Sequence, residues 1–189
     1  MERIGQKDNF IAKHAKIATV VAVIFGSTSG ILGNLITAPA LAIGFWRLAI
    51  ALPFFIIPAV ADREKRHKLK GISKKDYILC FISGAFLFGH YFSWFNAVKL
   101  TNVASASVLA ALHPLVVLLV TVFVYRRKVS LRSVLAIIVA LLGGVLIMGA
   151  DYSTFAGGNI TGNIFAFFAA VFMGLYFAMG DEVRKRVEG

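Results

Sequence analysis

Long apolar stretches, separated by short polar segments, dominate this sequence. Six of them approach about twenty residues, the length an α-helix needs to cross roughly 30 Å of hydrocarbon. The short alternating segments typical of an outer-membrane barrel are not the pattern seen here. The predicted spans are 17–36, 40–61, 77–98, 103–125, 133–150 and 160–180. We therefore predict an all-α fold, a polytopic membrane bundle of six transmembrane helices.

Clusters of basic residues flank these spans at alternate ends. Eighteen of the twenty Lys and Arg residues lie before the first span, after the second, after the fourth and after the sixth. The remaining two are Lys99, in an opposite loop, and Arg47, inside the second span. Because Lys and Arg in short loops resist translocation, this segregation predicts that both termini are cytoplasmic. The expected location is a plasma membrane, a bacterial or archaeal inner membrane, with the lipid bilayer as the main solvent.

Composition excludes several other classes. The chain is 59% hydrophobic, with a mean hydropathy of +0.81 and a formal charge of +11. The positive residues flank apolar spans and form no aromatic-interleaved basic face, so no nucleic-acid partner is expected. The long basic connector at 62–76 is either a docking or anionic-lipid site or a solvated positive-inside loop, and the second interpretation is favoured. The apolar run after the polar start has no cleavage site, so we expect a retained first helix.

Catalytic groups are sparse in the predicted spans, which hold no Asp or Glu. Carboxylate pairs for acid–base chemistry and metal-ligand clusters are therefore not expected within the membrane. The single cysteine, Cys80, lies in an apolar run and reads as a small core residue. We predict that the protein is not an enzyme and uses no metal or other cofactor.

Six short sequence motifs follow one another along the first five spans. They are Phe25-Gly26-Ser27, Pro39-Ala40-Leu41, Phe45-Trp46-Arg47-Leu48, the run from Asn96 to Ala106, His113-Pro114 and Leu142-Gly143-Gly144-Val145-Leu146. In this order and spacing they resemble the EamA-type repeat of the drug/metabolite transporter superfamily. The resemblance covers roughly residues 17–150.

That resemblance implies an organisation in repeats. Family members typically have ten helices as two inverted five-helix repeats, whereas this chain has a basic tail at 1–16, one repeat at 17–150, and a loop, sixth helix and short basic tail at 151–189. The sixth helix resembles the start of a second repeat, since Val171-Phe172-Met173-Gly174 parallels Val23-Ile24-Phe25-Gly26. A five-helix unit also requires the sixth helix to run opposite to the first.

The resemblance further implies a permease that moves a small-molecule substrate, a metabolite or drug, by alternating access, with ion-coupled export. A homodimer or a complementary second half would complete it. The alternative is a non-transporting truncated fragment or a membrane scaffold or assembly partner.

Two histidines are the leading candidates for substrate binding. The rise of an α-helix places His90 on the third span and His113 on the fourth within about 5 Å of the same membrane depth. Ionisable side chains at that depth are costly, so they often serve function, and histidine can also carry a coupling proton. Trp94 shares a helical face with His90 and is either a substrate contact or an interfacial anchor.

The other candidates carry open alternatives. Arg47 is a gating or anion-binding group, or an arginine that reaches structural carbonyls at the external end. Gly26 and Gly30 mark either a pivot or the lining of a pathway, or else close helix packing. Three further candidates complete the set: Pro114 as a helix-breaking gating residue, Ser27 as a lining residue, and Tyr176, at a position where the resemblance implies an aromatic residue, as another lining residue.

Overall fold

The computed structural model describes residues 2–62, 72–149 and 159–188, and these ranges contain helices and no strand. The helices are α1 (Glu2–Leu35), α2 (Ala40–Ala61), α3 (Lys74–Leu100), α4 (Val103–Ala110), α5 (His113–Leu119), α6 (Leu131–Gly149) and α7 (Ile160–Glu188), with a π-helical turn (Val120–Val124) after α5. The predicted all-α fold class is confirmed. Two predicted segments lie partly outside the described residues: the connector at 62–76, at positions 63–71, and the loop that begins at 151, at positions 151–158.

Each predicted span coincides with a helical segment. Four of these segments are long and apolar enough to cross a membrane: Ala40–Ala61, Lys74–Leu100, Val103–Val124 and Ile160–Arg186. The described apolar parts of α1 and α6 are shorter, Thr19–Leu35 and Leu131–Gly144.

The surface is strongly apolar, as a lipid-facing surface must be, and Phe54 and Phe55 on α2 are 76% and 75% exposed. The core position predicted for Cys80 is wrong, because this side chain is exposed on α3. An apolar run does not distinguish the two faces of a helix when lipid covers one of them.

Helix boundaries differ from the apolar runs where polar residues continue a helix into water. The polar segment predicted as a tail is helical from Glu2 and continuous with the first span. Before α3, the Ser73 hydroxyl accepts the Asp76 N–H at 3.2 Å, so the cap sets the start ahead of the apolar run. Similarly, the Asn102 side chain accepts the Ser105 N–H at 2.7 Å and begins α4.

The predicted fourth span is a broken helix rather than a continuous one. Its two α-helical parts meet at residues 111–112, just before His113 and Pro114. Pro114 has no N–H to donate to the carbonyl of Ala110, so the regular ladder cannot pass this point. The His113 Nδ1–H donates to that same Ala110 carbonyl at 3.1 Å, which satisfies the acceptor that the proline leaves.

The core lies between α3 and α7, which form the most extensive helix pair in the described chain. Small residues make their close approach feasible, and Ala97 and Ala166 are fully buried. At Gly174 an added Cβ would lie 2.5 Å from the Val116 Cβ, so α5 packs directly on the backbone of α7. α7 also contacts α4, while α1 and α2 pack against α3.

Ion pairs join three segments at one end of the bundle. Arg127, after the π-helical turn, pairs with Glu182 of α7 at 2.9 Å, and Arg186 of α7 pairs with Asp76 of α3 at 3.6 Å. The opposite end contains Lys99, which donates to the Ala38 carbonyl. The structure therefore gathers the basic segments after the fourth and sixth spans at one end, as the charge pattern predicts.

Candidate functional site

A cavity of about 620 Å³ opens between α1, α2, α3, α4, α5 and α7. It is lined by Val23, Gly26, Ser27, Ser29, Gly30, Arg47, His90, Tyr91, Trp94, Ser107, Ala110, Ala111, His113 and Met173. The side chains of Ser27 and Arg47 remain exposed, so the cavity is accessible on the side where α1 and α2 meet. Its size suits a small organic molecule.

Both candidate histidines face this cavity, from α3 and α5. The His90 Nδ1–H donates to the Ala169 carbonyl of α7 at 2.8 Å, and the His113 Nδ1–H donates to the Ala110 carbonyl at 3.1 Å. A carbonyl can only accept, so each ring carries its hydrogen on Nδ1. In the neutral imidazole this leaves Nε2 of each ring as an acceptor, free to take a proton or a substrate hydrogen bond.

Arg47 turns into the bundle instead of reaching carbonyls at the helix end. Its guanidinium donates to the Ser29 hydroxyl of α1, and its Cζ lies 5.0 Å from the centroid of the Tyr91 ring. A cation above an aromatic face is attracted by the ring quadrupole. Gly44, one turn before Arg47, is buried with its Cβ position 3.4 Å from the Tyr91 Cβ. The missing side chain there allows α2 to bring the arginine close to α3.

The two candidate glycines of α1 have different surroundings. A Cβ at Gly30 would meet Val103 at 3.0 Å and Trp94 at 3.3 Å, so this glycine permits close packing on α3 and α4. A Cβ at Gly26 would meet nothing within 4 Å, because Gly26 faces the open cavity. Trp94 is half-buried between Gly30 and the cavity, which favours the inward interpretation over an interfacial anchor.

Two candidates lie away from this cavity. Tyr176 lines two cavities nearer the ion-paired end of α7, and its carbonyl accepts the Ser83 hydroxyl at 3.3 Å. Tyr176 misses the 620 Å³ cavity because it lies about one turn beyond Met173, the residue of α7 that lines it, toward the ion-paired end. Pro114 lines a separate cavity of about 360 Å³ beside α6, which His113 also borders. Ser27 lines the 620 Å³ cavity, although its hydroxyl donates to the Val23 carbonyl at 2.8 Å.

Sequence reasoning missed four lining residues that carry polar, aromatic or thioether groups. They are Ser29, Tyr91, Ser107 and Met173. Tyr91 could have been found as an aromatic neighbour of His90 on a helix facing an intramembrane arginine. Ser29 and Ser107 give no such signal, because serine in a transmembrane helix usually bonds its own backbone, as Ser107 does to the Val103 carbonyl.

The chemistry of the lining is cationic and aromatic. Arg47 supplies a permanent positive charge, the two imidazoles supply acceptors, and Tyr91 and Trp94 supply flat apolar faces. Among the described residues that line the cavity, none is acidic and none is a cysteine. The arrangement is suited to holding a small molecule by charge, hydrogen bonds and stacking.

Comparison with known proteins agrees with the helical membrane pattern. Residues 15–149 match the model of the EamA-like transporter family, and α7 lies beyond that match. The chain is also 30% identical over 186 residues to the uncharacterized transporter YxxF of Bacillus subtilis (strain 168). That alignment covers 95% of this chain and 59% of the relative, so the chain spans less than two thirds of the relative's length. No solved structure matches significantly. With the family model covering most of the sequence, this multi-pass helical membrane protein belongs to the EamA-like transporter family.

Proposed function

We propose that this chain forms part of a permease that moves small metabolites or drugs across the plasma membrane of a bacterium or archaeon. The main observation behind the proposal is that Arg47, His90 and His113, from three different helices, all line one cavity. Polar groups at membrane depth are costly to bury, and a shared substrate pathway explains why three of them face one space.

Alternating access would expose this cavity first to one side of the membrane and then to the other. In this proposal the described helices α1 to α6 act as one repeat and α7 begins a second, inverted one. A second copy of the chain or a complementary half would close the side where α1 and α2 leave the cavity open. The cytoplasmic side is the end where Arg127 and Arg186 form ion pairs.

The proposal includes ion-coupled export, and the two histidines make a proton the preferred coupling ion. His90 and His113 each hold a carbonyl through Nδ1, which leaves Nε2 available for a proton. The groups facing them in the cavity are each other, the cationic Arg47 and the ring of Tyr91, while α7 contributes Met173. Substrate binding and protonation would compete for the same space, which is the requirement for exchange.

A flux assay tests the proposal. The purified chain is reconstituted in vesicles loaded with the pH indicator pyranine, and pools of amino acids, organic acids, organic amines and nucleosides are added outside. We expect one pool to change the internal pH. Mass spectrometry of the vesicle contents should show that compounds of the same pool have accumulated inside. Absence of flux for every pool would contradict transport by copies of this chain alone and would favour a chain that needs a complementary half, or a non-transporting fragment or scaffold.

Matched variants test the proton coupling. His90→Asn keeps an amide N–H in the place of Nδ1 and removes the titratable ring, so we expect the bundle to remain folded while the pH change falls at least about tenfold. His14→Ala, in the first part of α1, is the control and retains the pH change. Flux that continues in His90→Asn with an unchanged pH signal would rule out a proton role for His90.

A further inference from the structure

We propose that the cavity selects organic carboxylates, with Arg47 as the anion anchor and the pair Tyr91–Trp94 as the wall for an apolar or aromatic body. This inference rests on the proposed transport function and adds the substrate class to it. It depends on the position of one arginine and on the charge of the residues around it.

The charge of Arg47 is not matched by an acid in this space. Asp76, Asp181 and Glu182 form ion pairs at the other end of α3 and α7, away from Arg47. No acidic residue is among the described residues that line the cavity. A guanidinium that faces a cavity without a carboxylate favours anions and disfavours cations in the same space.

The geometry of Arg47 leaves donors available. A guanidinium has five N–H donors in a planar fork, and the Ser29 hydroxyl takes a bond from one terminal nitrogen. The Tyr91 ring lies 5.0 Å from Cζ and holds the group by its face, which uses none of the in-plane donors. The remaining fork matches the two oxygens of a carboxylate, a recognition that lysine cannot reproduce.

The aromatic wall defines the rest of the ligand. Tyr91 and Trp94 come from successive positions on one face of α3, and Val23 and Met173 border the same cavity from α1 and α7. These side chains offer flat and flexible apolar contacts to a ring or a branched chain. A carboxylate joined to such a body therefore satisfies both the arginine and the wall.

A matched set of three probes tests the inference. 4-Phenylbutyrate, 4-phenylbutyramide and 4-phenylbutylamine share one body and carry a carboxylate, a neutral amide and an ammonium group. Binding to the purified full chain is followed by Trp94 fluorescence in a Trp46→Phe background, since Trp46 is 62% exposed on the outer surface of α2. We expect the carboxylate to bind at least about tenfold more tightly than the amide, and the amine more weakly than both.

Variants of Arg47 test whether the preference for the carboxylate depends on the guanidinium. Arg47→Gln should abolish the carboxylate preference while leaving amide binding within about twofold, and Arg47→Lys should restore only part of the preference, because its ammonium is not a bidentate fork. Arg132→Gln, an exposed arginine on α6, is the control and should keep the preference. A thermal melt of each variant separates loss of binding from loss of folding.

Other outcomes would overturn the inference. These are equal binding of carboxylate and amide, tightest binding of the amine, binding of none of the three probes, or a carboxylate preference that survives Arg47→Gln. Phenyl phosphate is measured in parallel, and a stronger preference for it than for the carboxylate also contradicts the assignment. Flux of an amine or nucleoside pool in vesicles would leave the transport proposal intact while removing this one, so the two failures are distinguishable.

Discussion

Individual side chains could be predicted here when their burial in lipid is expensive. Arg47, His90 and His113 were candidates because charge and imidazole are rare at membrane depth, and all three line one cavity. Tyr176 was predicted only from a family resemblance and lies elsewhere. A resemblance fixes which helix a residue is on, whereas the cavity it faces depends on helix rotation, which short apolar sequence does not determine.

Glycines at helix contacts give a stability prediction at this scale. In Gly174→Ala the new Cβ would lie 2.5 Å from the Val116 Cβ and 2.9 Å from the His113 carbonyl, so we expect a destabilisation of about 1–3 kcal/mol. In Gly180→Ala, on the same helix, nothing lies within 4 Å, and the gain in helix propensity is about 1 kcal/mol.

Thermal unfolding in detergent, followed by intrinsic fluorescence, measures the difference between these two variants. The unfolding midpoint of Gly174→Ala should fall below that of the unmodified chain, and that of Gly180→Ala should not. If Gly174→Ala proved as stable as Gly180→Ala, the direct packing of α5 on the α7 backbone would be wrong.

The order of the helical spans could be predicted, and their ends and continuity less well. The bounds of α2 match the apolar run, while α1, α3 and α7 extend into polar sequence that a hydropathy pattern ignores. The break between α4 and α5 was only half visible: Pro114 marks a weak point, but whether a helix bends or stops there depends on the packing around it. The π-helical turn that follows has no signal in the sequence.

The break between α4 and α5 leads to a prediction about the energetic coupling between His113 and Pro114. His113 occupies the Ala110 carbonyl that Pro114 leaves unpaired, so His113→Ala should cost about 1 kcal/mol in the native background. In a Pro114→Ala background the backbone amide gained at that position can donate to the same carbonyl, and the His113→Ala change should then cost less.

A double-mutant cycle on the free energy of unfolding measures this coupling. We expect a non-additivity of about 0.5–1 kcal/mol, in the direction that makes the imidazole less important when proline is absent. Strictly additive effects would mean that the His113 hydrogen bond does not compensate for the proline.

At the scale of the whole molecule, charge segregation predicted the arrangement more reliably than any motif. The ion pairs Arg127–Glu182 and Arg186–Asp76 assemble at one end, and Lys99, in the last turn of α3, lies at the other. The charge pattern could not reveal that α3 and α7 would be the central pair, since that choice depends on small residues meeting small residues across a long sequence separation. The family match likewise covers α6 and stops short of α7.

Cysteine labelling tests the orientation of the two ends. In a Cys80→Ser background, exposed Lys128→Cys and Thr161→Cys place a thiol at the ion-paired end and at the start of α7. Because the basic end is expected to stay in the cytoplasm, a membrane-impermeant maleimide should label Thr161→Cys in intact cells and Lys128→Cys only after permeabilisation. The reverse pattern would invert the proposed topology.

The contact between α3 and α7 also has a consequence for membrane insertion during synthesis. Ser83 and His90 on α3 donate to the carbonyls of Tyr176 and Ala169 on α7, which the ribosome produces only after α4, α5 and α6. During synthesis these polar side chains therefore enter the bilayer before their acceptors exist. Insertion of α7 is therefore the step at which these two polar groups gain their acceptors and leave contact with lipid.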